Sequence, residues 1–406
     1  MGATNLADLY DDCLCNILEF LTTEDRISFA QVSQRFRQVF INQCGYKYRD
    51  FTIDENSLRL ELIQLSICRE AVETLTIDLD HFDTGQSIRT SHKCTTPEKC
   101  YGILCHTLTG MSQLKNLVIK QMKFYIAPID KPFDQVLAAV GHLPELKRLE
   151  LQATQDFSVD HLHNLQNLET LHLLIPKVPS ACLVKCFKSN GSLRSLHLGY
   201  ACCQKNLVDI IVTHCKNLEV LKFGITAESA EYQPLAKLPK LRELSHFGIR
   251  RSGSFEPLLS ALAAKSQLTH LSIDGGSLSS EEAYQLVRLQ SLRHLTCFCA
   301  TTECVEILGQ LTNLEELCLW MSRSLDISHS LLTIIASCKK LKLLRLAVGN
   351  VNKHFFNDAI DLLRMDERLG QQPPFKVEIP AVSQKQDISH QNISVQRERI
   401  KWGLVQ

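Results

Sequence analysis

No stretch of this chain approaches the roughly 18 consecutive apolar residues that a membrane-spanning helix needs, so a membrane partner is not expected. There is no excess charge of either sign: Lys plus Arg number 44 and Asp plus Glu number 44. No global field therefore draws the chain to nucleic acid or anionic lipid. Aromatics are sparse at 7%, with two Trp, which gives no stacking platform for bases. The N-terminal MGATNLADLYDDC is acidic and has no apolar core, so it does not read as a signal peptide. It begins Met-Gly, but Leu6 stands where a myristoylation motif needs Ser or Thr. Also missing are a nucleophile elbow, a phosphate loop, H-E-x-x-H and a dinucleotide fingerprint, so no enzymatic chemistry is expected. Cysteine is not scarce. The seventeen are an odd number scattered through helical and strand patterns, and read as reduced core residues of a cytoplasmic or nuclear protein. For the same reason the sequons at Asn190 and Asn392 read as idle.

What is abundant is one spacing of leucine. Leu314, Leu317 and Leu319 in LTNLEELCLW recur as Leu146/Leu149/Leu151, Leu168/Leu171/Leu173, Leu193/Leu196/Leu198 and Leu341/Leu344/Leu346. Leu218/Leu221/Phe223 and Leu268/Leu271/Ile273 are variants. The middle positions fall at 149, 171, 196, 221, 244, 271, 295, 317 and 344, spaced by 22 to 27 residues. That is the leucine-rich-repeat period. The last two leucines of each unit lie two apart and share one face of a strand. A lone strand cannot bury that face, whereas stacked neighbours bury it as one continuous core. The fold class is therefore α/β: a leucine-rich-repeat solenoid with a parallel concave sheet and convex helices. The repeats span about 72–380, with a polar insertion near 81–96, a helical lead-in over 43–71 and a polar tail over 381–406. That tail reads as a mobile end or a strap, and Trp402 gives it a means of docking.

Between the strands the pattern predicts helices over Lys131–Leu143, Ser180–Lys188 with Ser180 as cap, Lys205–His214, Ser254–Lys265, Asp326–Ala336 and Lys353–Arg368. Thr96-Pro97-Glu98 starts another, and Ser279 with Glu282 forms a capping box. Leu244-Ser245-His246 breaks the leucine pattern and leaves the register of Phe247 open. Cys215 and Cys338 each precede a repeat as C-x-x-L, while the ladder position after the strand is poorly kept. Two clusters carry metal-ligand residue types: His92, Cys94, Cys100, Cys105 and His106, and Cys297, Cys299 and Cys304. Neither has paired C-x-x-C spacing, so no metal and no other cofactor is expected. Asp160-His161-Leu162-His163 reads as a solvated linker.

Residues 6–42 do not follow the repeat. Leu14, Ile17, Leu18 and Leu21 have the spacing of one helix face, with Asp11 and Asp12 suited to its N-terminus. Thr22 or Thr23 caps a second helix, and a third runs through Val32, Phe36, Val39 and Phe40. One reading is a helical cap on the solenoid. The other is a resemblance: Leu9-Tyr10, the 14/17/18/21 helix, Asp25 and Val32-Ser33-Gln34-Arg35-Phe36-Arg37 resemble an F-box. Tyr10 stands where that family usually has Pro, and Phe36 where Trp is common. The C-x-x-L repeats are similar to those of F-box leucine-rich proteins.

The resemblance implies a substrate receptor of an SCF-type ubiquitin ligase. Leu9, Tyr10, Leu14, Ile17, Leu18, Leu21, Val32, Ser33 and Phe36 would bind an adaptor of the S-phase kinase-associated protein type, and through it a cullin. The repeats would bind a target protein for ubiquitination and proteasomal degradation. Leu14→Asp or Ile17→Asp is then expected to abolish adaptor capture with the repeats still folded. The rival is a ligase-independent leucine-rich scaffold with a helical cap. On the concave face the pattern places Glu150, His172, His197, Lys222 and Arg345 between the last two leucines of their repeats. Phe298 and Trp320 stand in the row beyond, as the candidate hot spot of the substrate surface.

Overall fold

The computed structural model describes residues 6–53, 59–80, 97–122, 130–154, 159–175, 178–199, 206–224, 229–247, 253–321, 325–346, 350–365, 375–378, 392–396 and 399–403. The 81–96 insertion, with His92 and Cys94, lies outside them. The chain divides into two compact units, Met1–Cys202 and Cys203–Gln406.

The first unit opens with three helices, α1 (Asp11–Phe20), α2 (Thr23–Val32) and α3 (Gln34–Cys44). Thr22 caps α2 by accepting from the Asp25 N–H, and Ser33 caps α3 by accepting from Phe36. Each cap contributes about 1 kcal/mol. There follow β1 (Asp50–Ile53), α4 (Arg59–Cys68), β2 (Thr74–Asp78), α5 (Pro97–Thr109), β3 (Asn116–Gln121), α6 (Asp130–Val140), β4 (Arg148–Ala153), β5 (Thr170–Leu174), α7 (Ser180–Ser189) and β6 (Ser195–Leu198). All six strands pair in parallel in chain order. Phe51, Leu75, Leu117, Leu149, Leu171 and Leu196 stand opposite one another along that sheet, all buried.

The second unit holds α8 (Leu207–His214), β7 (Val220–Gly224), β8 (Glu243–Phe247), α9 (Glu256–Ala263), β9 (His270–Leu278), α10 (Ser280–Leu286), β10 (His294–Cys299), α11 (Thr302–Leu308), β11 (Glu316–Trp320), α12 (Ser328–Ser337), β12 (Leu343–Leu346), α13 (Phe355–Met365) and β13 (Phe375–Glu378). Strands β7 to β13 are again parallel and sequential. Leu221, Leu244, Leu271, Leu295, Leu317, Leu344 and Val377 form the buried row. At about 1.5–3 kcal/mol for each fully buried aliphatic side chain, this row explains why the leucine spacing outlasts every other feature of the repeat. The architecture is a leucine-rich-repeat solenoid preceded by a small helical bundle.

Several local expectations change. A strand, β1, occupies Asp50–Ile53 inside the stretch read as a helical lead-in, so the sheet starts one strand earlier. The 381–406 tail is not a loose strap throughout: β14 (Asn392–Gln396) and β15 (Arg399–Gly403) pair antiparallel beyond β13. Ser180 does not cap α7; Pro179 holds that position, and no side chain caps it. His246 takes a core position in register with Phe223 and Ile273, where its Nδ1 lies 3.1 Å from the Asp274 carbonyl. A polar ring hydrogen-bonded to the backbone replaces an aliphatic side chain there, and Phe247 then falls opposite Gly224.

The Asn190 amide, part of a sequon, is buried in the core. Nδ2 donates to the Leu165 and Cys186 carbonyls at 2.8 and 2.9 Å, and Oδ1 accepts from the Leu168 N–H at 3.0 Å. Asn190 precedes Leu193 by the same three residues that separate Cys338 from Leu341. The Cys338 thiol likewise donates to the Leu311 carbonyl, at 3.3 Å. The stitching position between these repeats thus lies before the strand rather than after it. The capping box of Ser279 and Glu282 is present, and Glu282 also reaches back to accept from Ser254 Oγ and the Phe255 N–H.

Candidate protein-binding surfaces

The N-terminal bundle builds its own core from Leu14, Leu18, Ile27, Phe29, Ala30, Phe36, Val39, Phe40 and Cys44, joined by Ile67 and Cys68 of α4. Phe29 and Phe36 stack at 4.5 Å. Leu14, Leu18 and Phe36, read as adaptor contacts, are therefore packing residues with no surface to offer a partner. The spacing of apolar residues on α1 holds two stripes rather than one. Leu14 and Leu18 point in. Tyr10, Cys13, Ile17 and Phe20, at intervals of 3, 4 and 3, form an outer stripe on which only Ile17 is half-buried. Phe20 is 89% exposed, Tyr10 82% and Val32, at the end of α2, 67%. The sequence reading missed Phe20; its signal was an aromatic on the face opposite Leu14 and Leu18. Leu9 and Leu21 are half-buried and Ser33 is exposed, so each keeps some surface.

Two arginines fix this arrangement. Arg35 donates to the Ala7 and Leu9 carbonyls at 2.7 and 2.6 Å and pairs with Asp11 at 2.7 Å. It thereby holds the segment carrying Tyr10 against the start of α3. Arg26 donates to the Leu18 and Glu19 carbonyls at the end of α1, at 2.8 and 3.2 Å, satisfying groups a helix C-terminus leaves open.

On the sheet of the first unit, Glu150, His172 and His197 stand side by side on β4, β5 and β6. His172 Nδ1 lies 3.4 Å from Glu150 Oε2, and the two imidazoles meet edge to face at 5.4 Å. Burial pushes the Glu150 carboxyl up, but Gln152, His172 and Arg148 outweigh it and hold it below the usual carboxylate range.

On the open face of the second unit, Lys222 and Arg345 are already engaged. Lys222 Nζ is 2.7 Å from Glu243 on β8, and Arg345 Nε is 2.5 Å from Glu378 on β13, which Lys376 also contacts. His270 and His294 stack face to face at 4.0 Å with 5° between planes. Burial, and then the neighbouring His294, depress the His270 imidazole, favouring its neutral form. Phe298 and Trp320 are paired in register on β10 and β11 and remain 37% and 36% exposed. Between the two ring pairs lie Thr296 and the half-buried Cys318, whose thiol burial pushes up. A register shift between β9 and β10 opens a bulge at Asp274, Gly275 and Gly276, so that Phe298 stands opposite Ser277 and the exposed Asp274 carboxylate reaches Cys318 electrostatically.

The cysteines Cys44, Cys68, Cys182, Cys186, Cys215, Cys297, Cys299, Cys304 and Cys338 are buried, and none of them forms a disulfide. Among the described residues no group of three His, Cys, Asp or Glu side chains is placed to hold a metal. Cys299 and Cys304 sulfurs approach to 3.1 Å in the core beneath β10. No described helix is long and apolar enough to cross a membrane.

Comparison with known proteins adds a domain match and a fold. The F-box domain family matches residues 6–48. No curated protein matches in sequence. A chain of the yeast Rad7 and Elc1 complex is similar in structure, with 15% identity, a TM-score of 0.51, and coverage of 84% of this chain and 88% of that one. An internalin (inlF) from Listeria monocytogenes aligns over 68% of this chain and 83% of its own, at 17% identity and a TM-score of 0.37. A Leptospira interrogans LRR protein aligns over 80% and 96%, at 13% identity and a TM-score of 0.32.

Proposed function

We propose that this F-box/leucine-rich-repeat protein is the substrate-recognition subunit of an SCF-type ubiquitin ligase. The observation that carries the reading is the outer stripe of Tyr10, Cys13, Ile17 and Phe20, with Val32, on a bundle whose interior is already complete. Apolar side chains left outside a finished core mark a partner's footprint. The bundle docks an adaptor of the S-phase kinase-associated protein type, and through it a cullin. Leu9, Tyr10, Ile17, Phe20, Leu21, Val32 and Ser33 supply the contacts. The open faces of the two sheets, through Glu150, His172 and His197 in one and Lys222, Phe298, Trp320 and Arg345 in the other, bind a target protein for ubiquitination and degradation. The protein contributes position rather than bond chemistry: it holds the target near the conjugating machinery and raises its effective concentration. The similar yeast chain was solved in a complex, which is consistent with a partner-bound role.

A second reading, a ligase-independent scaffold, draws support from Ile67 and Cys68. These α4 residues complete the bundle core, so the bundle also covers the start of the repeats, as a cap would. Capture of the purified adaptor by the full chain separates the two: the receptor reading expects a stable complex, and the scaffold reading expects none.

A further inference from the structure

On the second unit's open face, two pairs of ring side chains stand along the strands. His270 and His294 lie on β9 and β10; Phe298 and Trp320 lie four residues further along, on β10 and β11. At about 3.3 Å per residue, the pairs stand about 13 Å apart, with Thr296 and Cys318 as the floor between them. The ring faces at the far end carry no cation among the described residues.

Charge decides what this slot accepts. Lys222 is matched by Glu243, and Arg345 is held by Glu378. Among the described residues Asp274 and Glu316 have no such match. Among the described residues no lysine or arginine pairs with Asp274. The ion-pair partner of Glu316 within 4.0 Å is His294, at 3.3 Å, which is cationic only when protonated. Arg345 lies within electrostatic reach of Glu316, but its Nε is committed to Glu378. The two carboxylates thus lie at the slot, Glu316 beside the histidine pair and Asp274 within electrostatic reach of Cys318 on its floor. A cation over an aromatic face gains most when carboxylates are near and water is partly excluded.

We propose that this slot takes a lysine or arginine side chain of an extended segment of the target protein, laid over Trp320 and Phe298 and bracketed by Asp274 and Glu316. The inference rests on the reading of the repeats as a target-binding surface and names the class of segment they recognise.

The test uses the full chain carrying Trp402→Phe, which leaves Trp320 as its one tryptophan. A random heptapeptide library displayed on phage is panned against it and sequenced. The expected pool carries Arg or Lys at one fixed position, and the winning peptide, made synthetically, changes the Trp320 fluorescence. Replacing its basic residue by Leu, or using the isosteric D274N/E316Q protein, lowers affinity about tenfold. Both substitutions are on exposed side chains, so the fold is retained, and unchanged circular dichroism checks it. No enriched pool, a pool without a fixed basic position, or peptides bound equally by D274N/E316Q would overturn the inference. Adaptor capture is measured on the same protein: its retention in those cases confines the failure to the slot, whereas its loss strikes the receptor reading itself.

Discussion

Positions 14 and 20 sit on the same ten-residue helix and behave as opposites. Leu14 is fully enclosed in the bundle, while Phe20 is almost wholly in solvent. Leu14→Asp would bury an unpaired carboxylate, at a cost of several kcal/mol, and unfold the bundle rather than report on docking. Phe20→Asp and Val32→Asp exchange exposed side chains, so the expected result is an unchanged thermal transition and lost adaptor capture. Paired melting and binding measurements on L14D and F20D check this contrast. The sequence showed that these positions repeat with a helix period, but not which of two adjacent stripes faces inward. That choice depends on the angle at which α3 and α4 pack, and on Arg35 holding the segment before α1.

At the scale of elements, polar side chains join one repeat to the next. Asn190→Ala would leave the Leu165 carbonyl and the Leu168 N–H without their partner inside the core. Each such group costs about 1–3 kcal/mol when orphaned. The expected outcome is a loss of roughly 2–4 kcal/mol in urea unfolding of the full chain, against a change near zero for the exposed neighbour Lys188→Ala. The strands were legible because period-2 leucines admit few alternatives, and most helices because their caps and apolar faces agree. The stitches were not legible. Asn190 reads as a sequon and Glu282 as a local cap, and their second role appears only when the neighbouring repeat is brought alongside. Likewise, β1 was hidden because DFTI is too short to show a repeat, and β9 gave no sign of the bulge beyond the glycines at 275 and 276.

At the scale of the whole molecule, the buried thiols tie stability to pH. Burial pushes Cys68 and Cys186 from the ordinary value of 9.0 up to about 12, and Cys338 up to about 11. A raised folded-state value means that the unfolded chain loses its protons first. Stability is therefore complete below about pH 9 and is lost as the pH rises toward 11–12. Urea midpoints under reducing conditions should fall between pH 8 and pH 10.5, and less steeply in Cys186→Ala; a flat profile would contradict the assignment. The solenoid as a class was legible from periodicity alone, since nine recurrences of one motif specify how the strands stack. The binding surfaces were legible as rows but not as sites. Which side chains in a row are already neutralised, as Lys222 and Arg345 are, depends on cross-strand partners in the next repeat.

The central claim is that the bundle is a docking module and not merely an end cap. Its most direct test is binding of the purified S-phase kinase-associated protein-type adaptor to the full chain and to the F20D/V32D double variant. Deleting residues 1–42 would instead strip the cover from Ile67 and Cys68. The account predicts a stable complex with the native chain and at least a tenfold weaker one with the double variant, with both proteins equally folded. An adaptor that ignores the native chain, or binds both proteins alike, would contradict it.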